Sequence, residues 1–159
     1  MTIANEWMKA ATALLAGVLA VAAPAQAGAD SLRDADRMIA RCLDHAASQK
    51  ITPLSVAVID ASGTLVAFKR QDGASSATAE AAMLKARTAL RLNAPTAVLA
   101  EVAAADAPTR DAFLIMQMTT LPGGVPLPGA AGAVGVSGGC ADQDTECARQ
   151  AVEPPARNK

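Results

Sequence analysis

The spacing of apolar residues predicts the first elements of secondary structure. From Ser31 to about Lys50, apolar positions recur every three or four residues, which is the spacing of one buried helix face. Leu54–Asp60 and Leu65–Arg70 are each rich in β-branched and small residues, and Ala61–Thr64 supplies a turn between them. The sequence therefore predicts a helix followed by an antiparallel hairpin.

The rest of the chain predicts more helices, followed by strands. In order, these elements are a helix at Thr78–Leu92, a short helix capped by Thr96 and ending near Ala105, a segment at Phe113–Met118 that is either a helix end or a strand, a strand near Met118, a strand at Gly132–Ser137, and a helix at Ala141–Ala151. Glycines and prolines at Gly123–Pro128 place a hairpin between the last two strands, and Ala107 with Pro108 interrupts the helical pattern. The order predicts an α+β fold in which a five-stranded antiparallel sheet is covered by helices.

The N-terminus has the features of a secretory signal peptide. Lys9 precedes an unbroken apolar run at residues 10–24, and Ala25-Gln26-Ala27 has the small-x-small pattern of a cleavage site. The run is shorter than the ~20 residues that a membrane-spanning helix needs. We therefore expect cleavage after Ala27, a periplasmic or secreted domain at residues 28–152 with no membrane attachment, and a disordered tail at 153–159.

The composition excludes nucleic acid as a partner. The formal net charge is −1, and acidic and basic residues are scattered, so no basic stripe is available to neutralise phosphates. The chain has one Trp, two Phe and no Tyr, so aromatic stacking can contribute little to binding. About 130 residues beyond the predicted leader are enough for one hydrophobic core.

The three cysteines are Cys42, Cys140 and Cys147, and after export they would lie in an oxidising compartment where disulfides persist. Along a regular helix, Cys140 and Cys147 are ~10 Å apart, beyond the ~7 Å limit of a disulfide. Two alternatives stay open. Either Cys42 bonds to Cys147, with the first and last helices side by side, or these residues are buried free thiols.

A glycine-rich stretch, Leu121–Asp144, is the strongest candidate for a binding site. Ser137, Gly138 and Gly139 lead into the N-terminus of the last helix, where free N–H groups and the helix dipole favour an anion such as a carboxylate. Alternatively, the glycines only allow a tight exit from a strand. Asp142 and Asp144 favour this alternative, because they already supply negative charge to the same helix terminus.

The pattern G-x-S-x-G at Gly135–Gly139 is also typical of the nucleophile elbow of a hydrolase, with Ser137 as the nucleophile. That function is not expected, because the only histidine, His45, precedes the serine and the chain is too short for the hydrolase fold.

Four segments in this order resemble the GlcG/HbpS family of haem-binding-type domains, which is also related to the C-terminal domain of corrinoid adenosyltransferases. They are VAVIDASGTLVAFKRQDGA at Val56–Ala74, KARTAL at Lys85–Leu90, Pro95-Thr96, and the glycine-rich stretch. The resemblance extends from about Ser31 to Val152. It implies a profilin-like fold and the binding of haem or a related tetrapyrrole.

Lys85 and Thr88 share one face of the second helix, whereas Arg87 points elsewhere. The resemblance implies that Lys85 or Arg87 lines the binding cleft, and the alternative is a solvated Lys85 and an Arg87 that pairs with a surface acid. Asp60 either caps the hairpin turn or acts as a base, and the Ser-Gly that follows favours the cap. The predicted ligand-binding residues are Asp60, Lys85, Arg87, Gly124, Ser137, Gly138 and Gly139.

His45 is the only strong nitrogen ligand for haem iron in the sequence. It lies at the edge of the apolar face of the first helix, beside Met38 and Arg41, which suits a groove between subunits and equally a surface histidine. A zinc site at Cys42 and His45 is not expected, because two ligands cannot complete a tetrahedral site. Iron ligation by His45 is a secondary prediction.

We predict an exported, homo-oligomeric binding protein for haem or a related tetrapyrrole. One alternative is a lyase or tautomerase, in which the Gly135–Gly139 turn holds a substrate carboxylate and Asp60 or Lys85 moves the proton. Another is a periplasmic interaction or sensor-accessory module without a ligand. The scarcity of aromatic residues weighs against a tight haem pocket.

Overall fold

Five helices and four strands make up residues 32–51 and 53–153, the part of the chain that the computed structural model describes. The helices are α1 (Leu32–Ser48), α2 (Ser76–Leu92), α3 (Thr96–Ala105), α4 (Ala107–Ile115) and α5 (Ala141–Val152), and the strands are β1 (Ser55–Asp60), β2 (Leu65–Arg70), β3 (Gly124–Pro126) and β4 (Gly132–Ser137). None of these helices is long and apolar enough to cross a bilayer. The predicted signal peptide lies outside the described residues, as does all of the predicted tail except Glu153.

The four strands form one antiparallel sheet in the order β2-β1-β4-β3. Ser55 of β1 lies opposite Arg70 of β2 and opposite Ser137 of β4, so β1 is central and the predicted β1–β2 hairpin is confirmed. The α+β class is confirmed as well. The prediction of five strands is wrong, because the described sheet has four. Phe113 lies in α4, Met118 is buried in a segment without regular structure, and a short strand forms instead at Gly124–Pro126.

A helix, α4, occupies much of the region where the sequence predicted an interruption. The side chain of Asp106 accepts a hydrogen bond from the N–H of Thr109 at 3.0 Å and so caps the N-terminus of α4. Pro108 lies in the first turn, where its missing N–H has no helical partner to lose. The proline that was interpreted as a helix breaker therefore starts a new helix.

The predicted cap of α3 also has a different role. Pro95 is the N-cap residue of this helix, and the Thr96 side chain makes no cap hydrogen bond. Instead, buried Thr96 accepts a hydrogen bond at its Oγ1 from the N–H of Gly124, at 2.8 Å. The threonine thus connects α3 to the start of β3.

Helices cover both faces of the sheet. Val56 of β1 and Val134 of β4 belong to a core cluster with residues of α1 and α5. On the other face, the register partners Ile59 and Ala133 pack against Ala86 and Ala89 of α2. The backbone of α2 comes very close to β4, because a Cβ at Gly135 would lie 2.0 Å from the carbonyl oxygen of Ala82. This close packing fixes the position of the α2 side chains relative to the sheet.

A disulfide joins α1 to α5. Cys42 and Cys147 are bonded, with their Cα atoms 4.7 Å apart, and Cys140 is free and exposed. Beside the disulfide, the guanidinium of Arg41 donates to the carbonyl oxygens of Gln150 and Ala151 near the end of α5. The first of the two cysteine alternatives is therefore confirmed.

Candidate functional site

A buried ion pair connects the two helical layers near the end of β4. Lys85 of α2 and Asp144 of α5 have Nζ and Oδ2 2.7 Å apart, and both side chains are only 4% exposed. The ammonium also donates to the carbonyl oxygen of Val136 at 2.8 Å. A Cβ at Gly123 would lie 2.8 Å from the Cβ of Asp144 and 3.1 Å from Nζ of Lys85, so the glycine leaves room for the pair.

The glycine-rich turn holds an anion that belongs to the protein itself. Oδ1 of Asp144 accepts a hydrogen bond from the N–H of Gly139 at 2.8 Å, while Lys85 balances the charge at Oδ2. Burial raises the pKa of the Asp144 carboxyl, and the hydrogen bonds from Lys85 and Gly139 oppose that rise. The carboxylate that the sequence predicted as a ligand group on this turn would therefore have to displace Asp144.

The other glycines of this region approach protein backbone. Gly138 has a φ of +139°, and a Cβ there would lie 2.3 Å from the carbonyl oxygen of Pro53. A Cβ at Gly124 would lie 2.4 Å from the carbonyl oxygen of Lys85. Ser137 is buried at the end of β4. Gly124 thus allows β3 to approach α2, and Gly138 allows the end of β4 to approach the segment before β1.

Asp60 caps the turn between β1 and β2. Its Oδ1 accepts hydrogen bonds from the N–H of Ser62 at 2.8 Å, from the Ser62 hydroxyl at 2.6 Å and from the N–H of Thr64 at 3.0 Å. These hydrogen bonds, led by the one from the Ser62 hydroxyl, lower the pKa of the Asp60 carboxyl. The geometry is that of the turn cap that the sequence favoured.

A cavity of about 640 Å³ lies between this turn and the C-terminal half of α2. Its lining consists of Ala61, Ser62 and Gly63 in the turn, Leu84, Arg87, Thr88, Leu90 and Arg91 in α2, and Gln117 and Ala130. The volume is typical of pockets for small molecules, which measure ~300–1,000 Å³. Apolar side chains beside a few cationic and polar groups suit an anionic ligand with an apolar body.

The two arginines of the cavity differ in their contacts. Nη1 of Arg91 donates to the carbonyl oxygen of Met116 at 2.8 Å. Arg87 is exposed and forms no hydrogen bond or ion pair with any residue that the structure describes. Arg87 is therefore the cation that remains available to a ligand.

The backbone of the cavity is strained at two positions. Gln117 and Ala130 both have a φ of +55°, and both line the cavity. Such a left-handed conformation costs a residue with a side chain about 1–2 kcal/mol, and strain of this kind is concentrated at ligand sites. Nothing in the local sequence indicated either residue, since neither is a glycine.

The described lining of the cavity contains no ligand for haem iron. The protein side chains that ligate haem iron are His, Met, Cys and Tyr, and none of the ten lining residues is of these types. His45 lies on α1, which packs against the opposite face of the sheet from α2. Within residues 32–51 and 53–153 there is also no group of three metal-ligating side chains. The described lining thus has a cation that could pair with a carboxylate and apolar side chains that could contact a ring, but no side chain of a type that ligates haem iron.

A family model decides the relationship of this chain to known proteins. The model, which describes haem degrading protein HbpS-like, matches residues 31–153. The chain belongs to this HbpS-like family. The family resemblance proposed from the sequence is therefore confirmed, while no match was found among curated proteins.

Several solved structures are similar to this chain. A structure of PduOC in complex with haem is 28% identical, with 77% of this chain and 91% of that chain covered and a TM-score of 0.68. A double mutant of HbpS from Streptomyces reticuli is 34% identical, with 77% and 84% covered and a TM-score of 0.68. Protein ORFY from Klebsiella pneumoniae is 27% identical, with 77% and 87% covered and a TM-score of 0.68.

The predicted site residues divide between two regions of this HbpS-like fold. Lys85, Gly124 and the turn Ser137–Gly139 come together around Asp144, at the end of β4. Arg87 lines the cavity, and Asp60 directly precedes three of its lining residues. The sequence contained a signal for the role of Asp144, its position in the first turn of α5, but none for the cavity.

Proposed function

We propose that this HbpS-like protein binds haem or a related tetrapyrrole in the cavity beside α2. The observation that carries the proposal is the cavity itself, with apolar α2 side chains along it and beside them the guanidinium of Arg87, which has no partner among the described residues. The similarity to PduOC in complex with haem adds support from a relative.

The lining residues act on the organic part of the ligand. Arg87 would hold a propionate carboxylate, since a guanidinium pairs well with carboxylates. Leu84, Leu90 and Ala61 would provide apolar surface for the ring. The iron receives no bond from the described lining, so no step of the proposal depends on it.

Export and assembly are parts of the same proposal. The disulfide between Cys42 and Cys147 supports an oxidising compartment, such as the periplasm or the exterior. The exposed side chains of Ile115 (83%) and Leu114 (61%) support a homo-oligomer, because contacts between copies would remove them from water.

The lyase or tautomerase alternative needs free proton-transfer groups. Lys85 is paired with Asp144 and buried, and the carboxylate of Asp60 is engaged by the turn, so neither candidate is available in this arrangement. This observation favours binding over catalysis. If no tetrapyrrole binds, the remaining alternative is an interaction or sensor-accessory module without a ligand.

A substitution that fills the cavity tests the proposal. Ala61→Trp places an indole at the turn that lines the cavity, and Ala104→Trp places the same side chain at an exposed position of α3 outside it. Titration with haemin should give a saturable shift of the Soret band in the unmodified protein and in Ala104→Trp, but not in Ala61→Trp. Equal binding by both variants would place the ligand elsewhere, and a lack of binding by the unmodified protein would refute haem binding.

A further inference from the structure

We propose that the bond between Cys42 and Cys147 is a folding switch: α5 is only loosely attached while both cysteines are thiols, and oxidation after export completes the fold. This inference rests on the export that is part of the proposed function, because it assigns a physical consequence to the change of compartment. It concerns α1 and α5, and not the cavity or its ligand.

The buried face of α5 has little apolar surface. Its buried residues are Asp144, Cys147, Ala148 and Ala151, and Val152 at the end of the helix is only partly buried. The free energy gained by hydrophobic burial grows with the apolar area removed from water, and an alanine side chain contributes a single methyl group. Hydrophobic packing alone therefore holds α5 weakly.

The polar contacts of α5 add little to this attachment. Asp144 lies 2.7 Å from Lys85, but a buried ion pair contributes little net stability because both charges lose their hydration. At the other end of the helix, the half-buried Arg41 donates to the carbonyl oxygens of Gln150 and Ala151. The disulfide is thus the strongest connection between α5 and α1.

The disulfide closes most of the described chain into one loop. Cys42 lies in the first helix that the structure describes and Cys147 in the last, with a sequence separation of 105 residues. In the chain-entropy model, a cross-link that closes a loop of roughly 100 residues raises the folding equilibrium constant by about a thousandfold, because the unfolded chain loses freedom. A change of this size is a large part of the stability of an ordinary domain.

The disulfide also holds the carboxylate at the glycine-rich turn in place. Asp144 and Cys147 are three residues apart on α5, so they share its buried face. If α5 moved away from α1, Asp144 would leave Nζ of Lys85 and the N–H of Gly139. Loosening of α5 therefore weakens the ion pair, whereas a purely entropic effect on the unfolded chain leaves it intact.

The oxidation is a two-electron step. The thiols of Cys42 and Cys147 form one S–S bond, and their two electrons and two protons pass to a protein or small-molecule disulfide, which is reduced to two thiols. Thiols stay reduced in the cytosol, whereas disulfides persist in the periplasm and outside the cell. The closed state of α5 therefore arises after export.

The test compares the oxidised and the reduced protein. The purified protein carries Cys140→Ser, which removes the free thiol and places a favoured N-cap residue at the start of α5. One sample stays oxidised, and the other is reduced in urea and refolded with the reductant present. Urea denaturation followed by circular dichroism should give a folding equilibrium constant about a hundredfold to a thousandfold lower for the reduced sample.

Hydrogen exchange and a second substitution locate the effect. Amides of α5 should exchange at least about tenfold faster in the reduced sample, and those of α2 should change less. Asp144→Asn should lower the folding equilibrium constant of the oxidised protein at least about tenfold more than that of the reduced protein, because the ion pair is already weakened there. Cys42→Ala combined with Cys147→Ala should resemble the reduced sample and should not respond to the reductant.

A reduced sample that does not refold supports the inference only if oxidised glutathione restores the fold, and a failure to recover contradicts it. Equal stability and equal exchange in both samples would overturn the inference. So would an equal effect of Asp144→Asn in both, since the disulfide would then act on the unfolded chain alone. Protein that stays in the cytosol with Met1 intact would refute export, while the dependence of the fold on the disulfide would stand.

Discussion

Two cations on α2 show how one helix serves two purposes. Lys85 is 4% exposed and lies 2.7 Å from the carboxylate of Asp144, whereas Arg87, two residues further on, is exposed and has no partner among the described residues. A buried charge must be paired because its desolvation is otherwise too unfavourable, but an exposed charge needs no partner in the protein. The face of the helix, and not the residue type, therefore decides which cation can bind a ligand.

The backbone around the two cations differs in the same way. Around Lys85, the glycines at 123, 124 and 138 allow contacts so close that a single Cβ would clash with protein atoms. Around Arg87, two residues with side chains, Gln117 and Ala130, take left-handed conformations beside an open cavity of about 640 Å³. The first region is closed to ligands and the second is open to them.

The largest expected effect comes from breaking the buried pair. Asp144→Asn should lower the free energy of unfolding by about 3–5 kcal/mol, because it leaves the ammonium of Lys85 buried without a counter-ion. The asparagine keeps an oxygen that can accept from the N–H of Gly139, so the loss of stability measures the effect of removing the negative charge. Urea denaturation followed by circular dichroism measures the change.

A double-mutant cycle separates the pair from its surroundings. Lys85→Met combined with Asp144→Asn should destabilise the protein less than the sum of the two single changes, by about 1–3 kcal/mol. A loss of under about 1 kcal/mol for Asp144→Asn alone would mean that water or another group compensates Lys85, and that this region is less closed than the structure indicates.

Gly138 tests the closed region at the level of the backbone. Gly138→Ala should destabilise the protein by about 1–3 kcal/mol more than Gly129→Ala, because the new Cβ would lie 2.3 Å from the carbonyl oxygen of Pro53. Gly129 also has a positive φ but has no atom within 4 Å of its Cβ position, so it controls for backbone strain. If urea denaturation gave equal losses of unfolding free energy for the two variants, the positive φ and not the contact with Pro53 would explain the effect.

The sequence predicted the elements whose signals are local. The apolar periodicity of α1 and the turn between β1 and β2 are contained within short segments, and both elements were found where they were expected. The signal at Asp106–Pro108 was ambiguous, because a proline after a capping residue begins a helix as readily as its ring interrupts one. The strand near Met118 was predicted because Gly123–Pro128 was interpreted as a hairpin turn, whereas part of that segment is the strand β3 itself.

The candidate site was predictable only in part. Lys85 and Arg87 were selected, but their partners depend on contacts between residues far apart in the chain, such as the 59 residues from Lys85 to Asp144. The position of Asp144 in the first turn of α5 indicated an internal anion. The cavity is lined by a hairpin turn, by α2 and by two single residues beyond α4. Apolar periodicity describes single helices and strands, so it could not predict that these segments lie together.

Asp60 offers a smaller test, at the edge of the open region. Its pKa is lowered from the ordinary value of 3.8, so the folded state binds a proton less readily than the unfolded chain does. The resulting stability is present above pH 3.8 and is lost as the pH falls through the lower folded pKa. Asp60→Asn should therefore reduce the melting temperature at pH 7 and lose this effect in acid.

Melting curves from pH 7 down to pH 3 would follow this change, with Asp72→Asn as the control for an exposed acid of the next loop. A difference between Asp60→Asn and the unmodified protein that stayed constant across the range would show that the charge of Asp60 does not contribute.

The smallest expected effect on stability is that of Arg87→Ala. Because Arg87 is exposed and unpaired in the described structure, its removal should change the free energy of unfolding by no more than about 0.5 kcal/mol. Arg91→Ala is the matched comparison, and it should cost about 0.5–1.5 kcal/mol because it removes the hydrogen bond to Met116. Urea denaturation of both variants without ligand measures these two changes in the free energy of unfolding. An equal loss for Arg87→Ala would give Arg87 a structural role like that of Lys85, and the difference between the two faces of α2 would no longer identify the ligand site.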